Sequence, residues 1–156
     1  MGDKSGFVAG FERALLDRFP MLAQHRVPLG DWQASGDIAF EVPSPGDAKT
    51  ILRVETLLDG IIVYFGGWHT HCDNWIENPA VTHREVYGDA LDLIERIIEN
   101  RMLVIFSEGG GSGCREDEQE QILRLWSSSG KPLSVRSWLG DMNREVEAVA
   151  PEAQDV

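Results

Sequence analysis

Basic residues are scarce in this chain. Fourteen Lys and Arg stand against 26 Asp and Glu, a net charge of −12 with a pI near 4.6. Neutralising phosphates takes a surface rich in Lys and Arg, so the charge argues against a nucleic-acid partner and against anionic membrane surfaces. Cysteine is scarce too. Cys72 and Cys114 do not make a disulfide framework, so both thiols are expected reduced and the compartment cytoplasmic. No apolar run approaches the roughly 20 residues of a membrane-spanning helix. The N-terminal MGDKSGFVAGFERALLDRF carries acids and lacks the apolar centre of a signal peptide. No G-x-x-x-x-G-K-[ST] phosphate loop is present. The glycine-rich SEGGGSGC misses a nucleophile elbow as well, because Cys114 stands where G-x-S-x-G needs its second glycine. That stretch reads as a flexible surface loop.

What is present reads as one α+β domain over residues 1–145, with 146–156 a frayed acidic tail. The chain has 156 residues, 42% of them hydrophobic, enough to bury a core without staples. Phe7, Phe11, Ala14, Leu15 and Phe19 recur at helical spacing, and Pro20 stops that helix. DIAFEVPSP alternates, with Ile38, Phe40 and Val42 on one side. ILRVETLLDGIIVYFGGWHTH reads as a hairpin with Asp59-Gly60 as its turn, and Gly66-Gly67 as a bulge or bend. Thr82 and Glu85 form a T-x-x-E capping box, with Val81 and Val86 placed as a hydrophobic staple. Val86, Ala90, Leu91, Ile94, Ile97 and Ile98 make the buried stripe of that helix, and Asn100 is its C-terminal cap. MLVIFS follows as a strand. QILRLW pairs with PLSVRSW as a hairpin, or EDEQEQILRLW forms a short helix, which its composition favours. The expected fold is a mainly antiparallel sheet of about five to six strands with two principal helices.

GGWHTHCDNW carries the most chemistry. On a strand His69, His71 and Asp73 share one face, with Trp68 and Cys72 on the other. Two imidazoles and a carboxylate are metal-ligand types. The stretch is similar to the H-x-H-x-D-H of metallo-β-lactamase-fold hydrolases, but Asn74 replaces the last histidine and only His83 follows. It is also similar to the zinc motif of JAMM metalloproteases, with Glu55 as the upstream acid. There Cys72 replaces a proline, and Pro79 and Thr82 stand where S-x-x-D belongs. Both ligand sets are incomplete, so the expectation is no cofactor and no metal. A hydrolase using His69, His71 and Asp73 is the alternative. As strand-end residues the histidines are expected to bond Asp73 or backbone and fix the turn.

Glu116, Asp117, Glu118 and Glu120 form the densest acidic run. With Trp75, one of five tryptophans, they are the candidate docking residues for a basic partner. Cys72 and Cys114 read as small hydrophobes. The order of elements, the strand end at His69, His71 and Asp73, and VRSWLGDMNRE with Arg136, Ser137, Trp138, Gly140 and Asp141 resemble small immunity proteins of bacterial polymorphic-toxin and contact-dependent inhibition systems. In these a G-x-x-H-x-H-F-D-like and an R-S-W-x-G-x-x-D-like strand end are expected. Cys72 replaces the aromatic here, and Asn143 or Asp141 stands in for the acid. The resemblance covers about residues 50–145. It implies a non-catalytic protein that binds and neutralises a cognate toxin, often a basic nuclease. It leaves Trp68, His69, His71, Asp73, Arg136 and Trp138 structural or partner-facing.

Overall fold

A computed structural model describes residues 4–57, 60–73, 80–127 and 130–147. Three α-helices, two 3-10 turns and eight strands are seen among them. The α+β class and the antiparallel pairing hold. The strands form two sheets of four, ordered β1-β2-β3-β4 and β6-β5-β7-β8, rather than one sheet of five or six. The chain divides into two compact units.

The first unit holds α1 (Lys4–Arg18), a 3-10 turn (Pro20–His25), β1 (Ala39–Pro43), β2 (Ile51–Leu57), β3 (Gly60–Phe65), most of β4 (Trp68–Cys72) and most of α2 (His83–Ile98). Phe7, Phe11, Leu15 and Phe19 of the helical stripe are buried, and Ala14 is half-buried. Tyr87 donates to the Phe7 carbonyl at 2.6 Å, while Arg18 pairs with Asp92 and Glu95. Phe7 therefore meets the start of α2 and Arg18 its later turns, so α1 and α2 run side by side in the same direction.

The capping box forms as the sequence indicates. The Thr82 amide donates to Glu85 Oε2 at 2.7 Å, and the Glu85 amide donates to Thr82 Oγ1 at 3.3 Å. At the other end Asn100 adopts φ +57°, and Arg101 donates to the Arg96 carbonyl while Asn100 donates to that of Ile97. This pair of bonds is the Schellman arrangement, and a left-handed C′ residue is what it requires.

The β2–β3 register closes at Leu57↔Gly60, so Gly60 is a strand residue and not the second residue of an Asp59-Gly60 turn. Residues 58 and 59 lie outside the described residues. Of the two readings of Gly66-Gly67, the bulge does not hold and the bend does. It is the two-residue turn joining β3 to β4, with Gly66 at φ +59°, the conformation a tight hairpin needs at its first central position.

The second unit takes in residues 44–50, 66–68 and 96 onward. It contains β5 (Leu103–Ser107), β6 (Gly110–Cys114), a 3-10 turn (Glu116–Glu118), α3 (Gln119–Ser127), β7 (Leu133–Ser137) and β8 (Arg144–Val146). Leu103, Ile105, Cys114, Leu133 and Val135 form its buried cluster, with Ile122, Leu123 and Trp126 packed against it. One open alternative is decided here, in favour of the helix, and one expectation is corrected. QILRLW is helical, because Ile122, Leu123 and Trp126 reach one face only at helical spacing. The glycine-rich stretch is not a loop, since Gly110–Cys114 pair in register with Ser107–Leu103. Glycine suits β6 for a steric reason: a Cβ at Gly111 would run into the Ile105 carbonyl and Phe106. Val146 pairs with Leu133, so β8 reaches one residue past 145.

VRSWLGDMN becomes a self-bonded corner. Ser137 Oγ donates to Asp141 at 3.0 Å and accepts from the Met142 amide, while Asn143 Oδ1 accepts the Ser137 amide at 2.8 Å. Asn100 Oδ1 accepts the Leu139 amide, and its Nδ2 donates to Asp141. Trp138 is buried at 7% exposure, its carbonyl accepting from Ser44. Arg136 bonds Glu145 and the Val135 carbonyl. Arg136, Ser137, Trp138 and Asp141 thus hold the second unit's own corner together.

Candidate functional site

In the first unit, strand alternation sorts one sheet face into a polar row. Arg53 lies opposite Glu41 of β1 and Tyr64 of β3, and Glu55 is two residues along on the same face. Arg53 donates to Glu55 Oε2 and to Glu41 Oε1, both at 2.6 Å. Tyr64 donates to Glu55 Oε1 at 2.8 Å. Glu55 is 0% exposed, so both its oxygens are buried and both are bonded. That pairing is what makes a buried carboxylate tolerable. It also leaves Glu55 no free oxygen pointed at a substrate. Arg53 further donates to Gln33 and lies 5.8 Å from the ring of Trp32, which is 60% exposed.

The row continues into β4. The rings of Tyr64 and His69 lie 5.3 Å apart, and those of His69 and His71 5.4 Å. Both histidines are exposed, and Trp68, Thr70 and Cys72 are half-buried, the alternation the sequence indicates. The expected bond from histidine to Asp73 is not made. Asp73 instead sits against Gly60, where an added Cβ would come within 3.1 Å of the Asp73 Cβ. The imidazoles touch aromatic rings and not carboxylates, because Asp73 leaves the strand just past its last paired residue. No group of three or more His, Cys, Asp or Glu converges among the described residues. Burial pushes the Cys72 thiol up to about 11, with Asp89 and Asp73 adding to the effect. Burial does the same at Cys114, again to about 11, helped by Glu118 and Asp117. Both are therefore poor nucleophiles at neutral pH.

The acidic run lies in the second unit, and its four acids are not equivalent. Arg115 pairs with Asp117 at 3.1 Å and Glu118 at 3.4 Å, and Glu118 also accepts the Arg115 amide. Glu116 and Glu120 are exposed and make no ion pair among the described residues. Two open grooves meet here. One, of about 470 Å³, is lined among others by Arg101, Met102, Arg115, Glu116, Asp117 and Met142, two arginines against two acids. The other, of about 440 Å³, is lined by Glu116, Gln119, Glu120, Asp141, Met142 and Arg144. Glu116 and Met142 belong to both. On α3, Leu125 points outward at 65% exposure. Trp75, the remaining candidate docking residue, lies outside the described residues.

Sequence reading missed Trp32, Arg53 and Tyr64 as surface chemistry. The signal was the Arg-x-Glu spacing inside the otherwise apolar ILRVETL, which puts both charges on one strand face.

These features define a class: an antiparallel two-sheet α+β protein whose polar surfaces are built from closed ion pairs and two open grooves, one with arginines and acids in equal number and one with an excess of acids. No protein-family model, curated protein or solved structure matches the chain.

Proposed function

We propose that this chain is a non-catalytic immunity protein that captures and neutralises a basic bacterial toxin domain. The observation that carries the reading is the groove pair in the second unit. Glu116 and Glu120 are exposed and make no ion pair among the described residues, Met142 lines both grooves, and Leu125 is exposed on α3, whose first residues line the second groove. Unpaired acids beside an apolar anchor suit a basic partner, and a net charge of −12 would speed its capture. The closed Arg53–Glu55–Tyr64 set and the raised thiols supply no free acid, base or nucleophile, which fits binding better than hydrolysis. A cytoplasmic location belongs to the same proposal. Among the described residues no helix is long and apolar enough to cross a membrane.

The test is stopped-flow binding to the product of the neighbouring gene. Replacing Glu116, Asp117, Glu118 and Glu120 with Gln or Asn should lower the on-rate several-fold at low salt. The difference should narrow above about 0.15 M salt, where the Debye length falls below about 8 Å. Because Arg115 already holds Asp117 and Glu118, the Glu116→Gln, Glu120→Gln pair should account for most of the loss. An unchanged on-rate moves the docking face elsewhere, and no binding to that product removes the reading.

A further inference from the structure

We infer that His69 and His71 form a two-imidazole site for a divalent cation of the Ni²⁺, Cu²⁺ or Zn²⁺ type, separate from any partner binding. The strand fixes both residues on one face, two positions apart, and both side chains are exposed. Neither imidazole has a hydrogen-bond partner among the described residues; their contacts are to rings. Their nitrogens are therefore available without breaking anything.

The ring spacing fits shared ligation. With metal–nitrogen bonds of about 2.0–2.1 Å and a ring centroid about 1.1 Å behind each nitrogen, two imidazoles on a tetrahedral ion have centroids about 5.2 Å apart. The observed separation is 5.4 Å, at an interplanar angle of 67°. His69 is also buttressed. Its ring packs on Tyr64, whose hydroxyl is held by buried Glu55, which Arg53 holds in turn. The Tyr64 ring limits how the imidazole can turn by packing and not by a hydrogen bond.

Imidazole selects this group of metals over Mg²⁺ and Ca²⁺, which prefer oxygen. No third His, Cys, Asp or Glu joins the pair among the described residues, so the site rests on the two imidazoles. Such a site fills when metal is supplied and loses it during purification with a chelator.

The experiment titrates tag-free protein with NiCl₂ and with ZnCl₂, by calorimetry and by NMR of the histidine ring protons. The chain has four histidines, so His25 and His83 serve as internal controls. The expected result is saturable one-to-one binding below millimolar metal, with Ni²⁺ broadening the His69 and His71 signals first. His69→Gln or His71→Gln should each weaken binding at least ~10-fold, because a single imidazole loses the effective concentration of the second. His25→Gln should leave it unchanged. Binding only at millimolar metal, broadening centred on His25 or His83, or unchanged affinity in both strand variants would overturn the assignment. The wild-type NMR result decides the matter even if a variant misfolds, and it does not depend on any toxin.

Discussion

The Tyr64 hydroxyl donates to Glu55 at 2.8 Å, and Glu55 is wholly buried. Burial first, and then this bond to a carboxylate, push the Tyr64 phenol up to about 12. A folded-state pKa above the ordinary value of 10.0 means that the contribution is complete below about pH 10. It is lost as pH rises from there toward 12. Tyr64→Phe should cost about 1–3 kcal/mol at neutral pH, because a buried carboxylate oxygen loses its donor. The variant should lose less further stability than the parent between pH 10 and 12. Urea midpoints across that range are the check, and identical alkaline slopes would show that the bond does not matter.

Trp138 is buried beneath the Ser137–Asn143 corner. Trp138→Ala should destabilise by about 3–5 kcal/mol, the usual cost of emptying a large aromatic site. Chemical denaturation measures it, and a midpoint matching the parent's would place the ring in solvent.

Both thiols should resist modification in the native protein. Burial pushes Cys72 and Cys114 to about 11, with neighbouring carboxylates adding to it, so little thiolate exists at pH 8. Labelling with Ellman's reagent should be slow in buffer and complete in denaturant. Fast native labelling of Cys72 would mean that β4 opens readily.

Acid should loosen the corner of the second unit. Hydrogen bonds from Asn100 and then Ser137 hold Asp141 below its ordinary 3.8. The Lys49 amide and then the Thr50 hydroxyl hold Asp47 below the same value. The Ser134 hydroxyl, and with it Arg136, lowers Glu145 from 4.5. For depressed carboxylates the contribution is complete above these ordinary values and is lost as pH falls through the folded ones. Urea midpoints should therefore decline below about pH 4, and the decline should be shallower in Asp141→Asn. An equal slope in that variant would locate the acid sensitivity elsewhere.

Local chemistry made much of the secondary structure legible. The Thr82–Glu85 box and the left-handed Asn100 end depend only on neighbours a few residues apart, so α2 could be read from its own sequence. The alternation of WHTHC likewise settled which side of β4 each residue faces. The glycine-rich β6 carried no such signal, because GGSGC has neither alternation nor β-branched side chains. Its strand state comes from pairing with β5 and from room that only glycine leaves beside Ile105 and Phe106. The division into two sheets is equally non-local, since β5 pairs with both β6 and β7 across the intervening α3. The polar row needed the tertiary structure for the same reason. Arg53, Glu55, Tyr64 and His69 are spread along three strands, and only their register brings a buried carboxylate, its cation, a phenol and an exposed imidazole into one line.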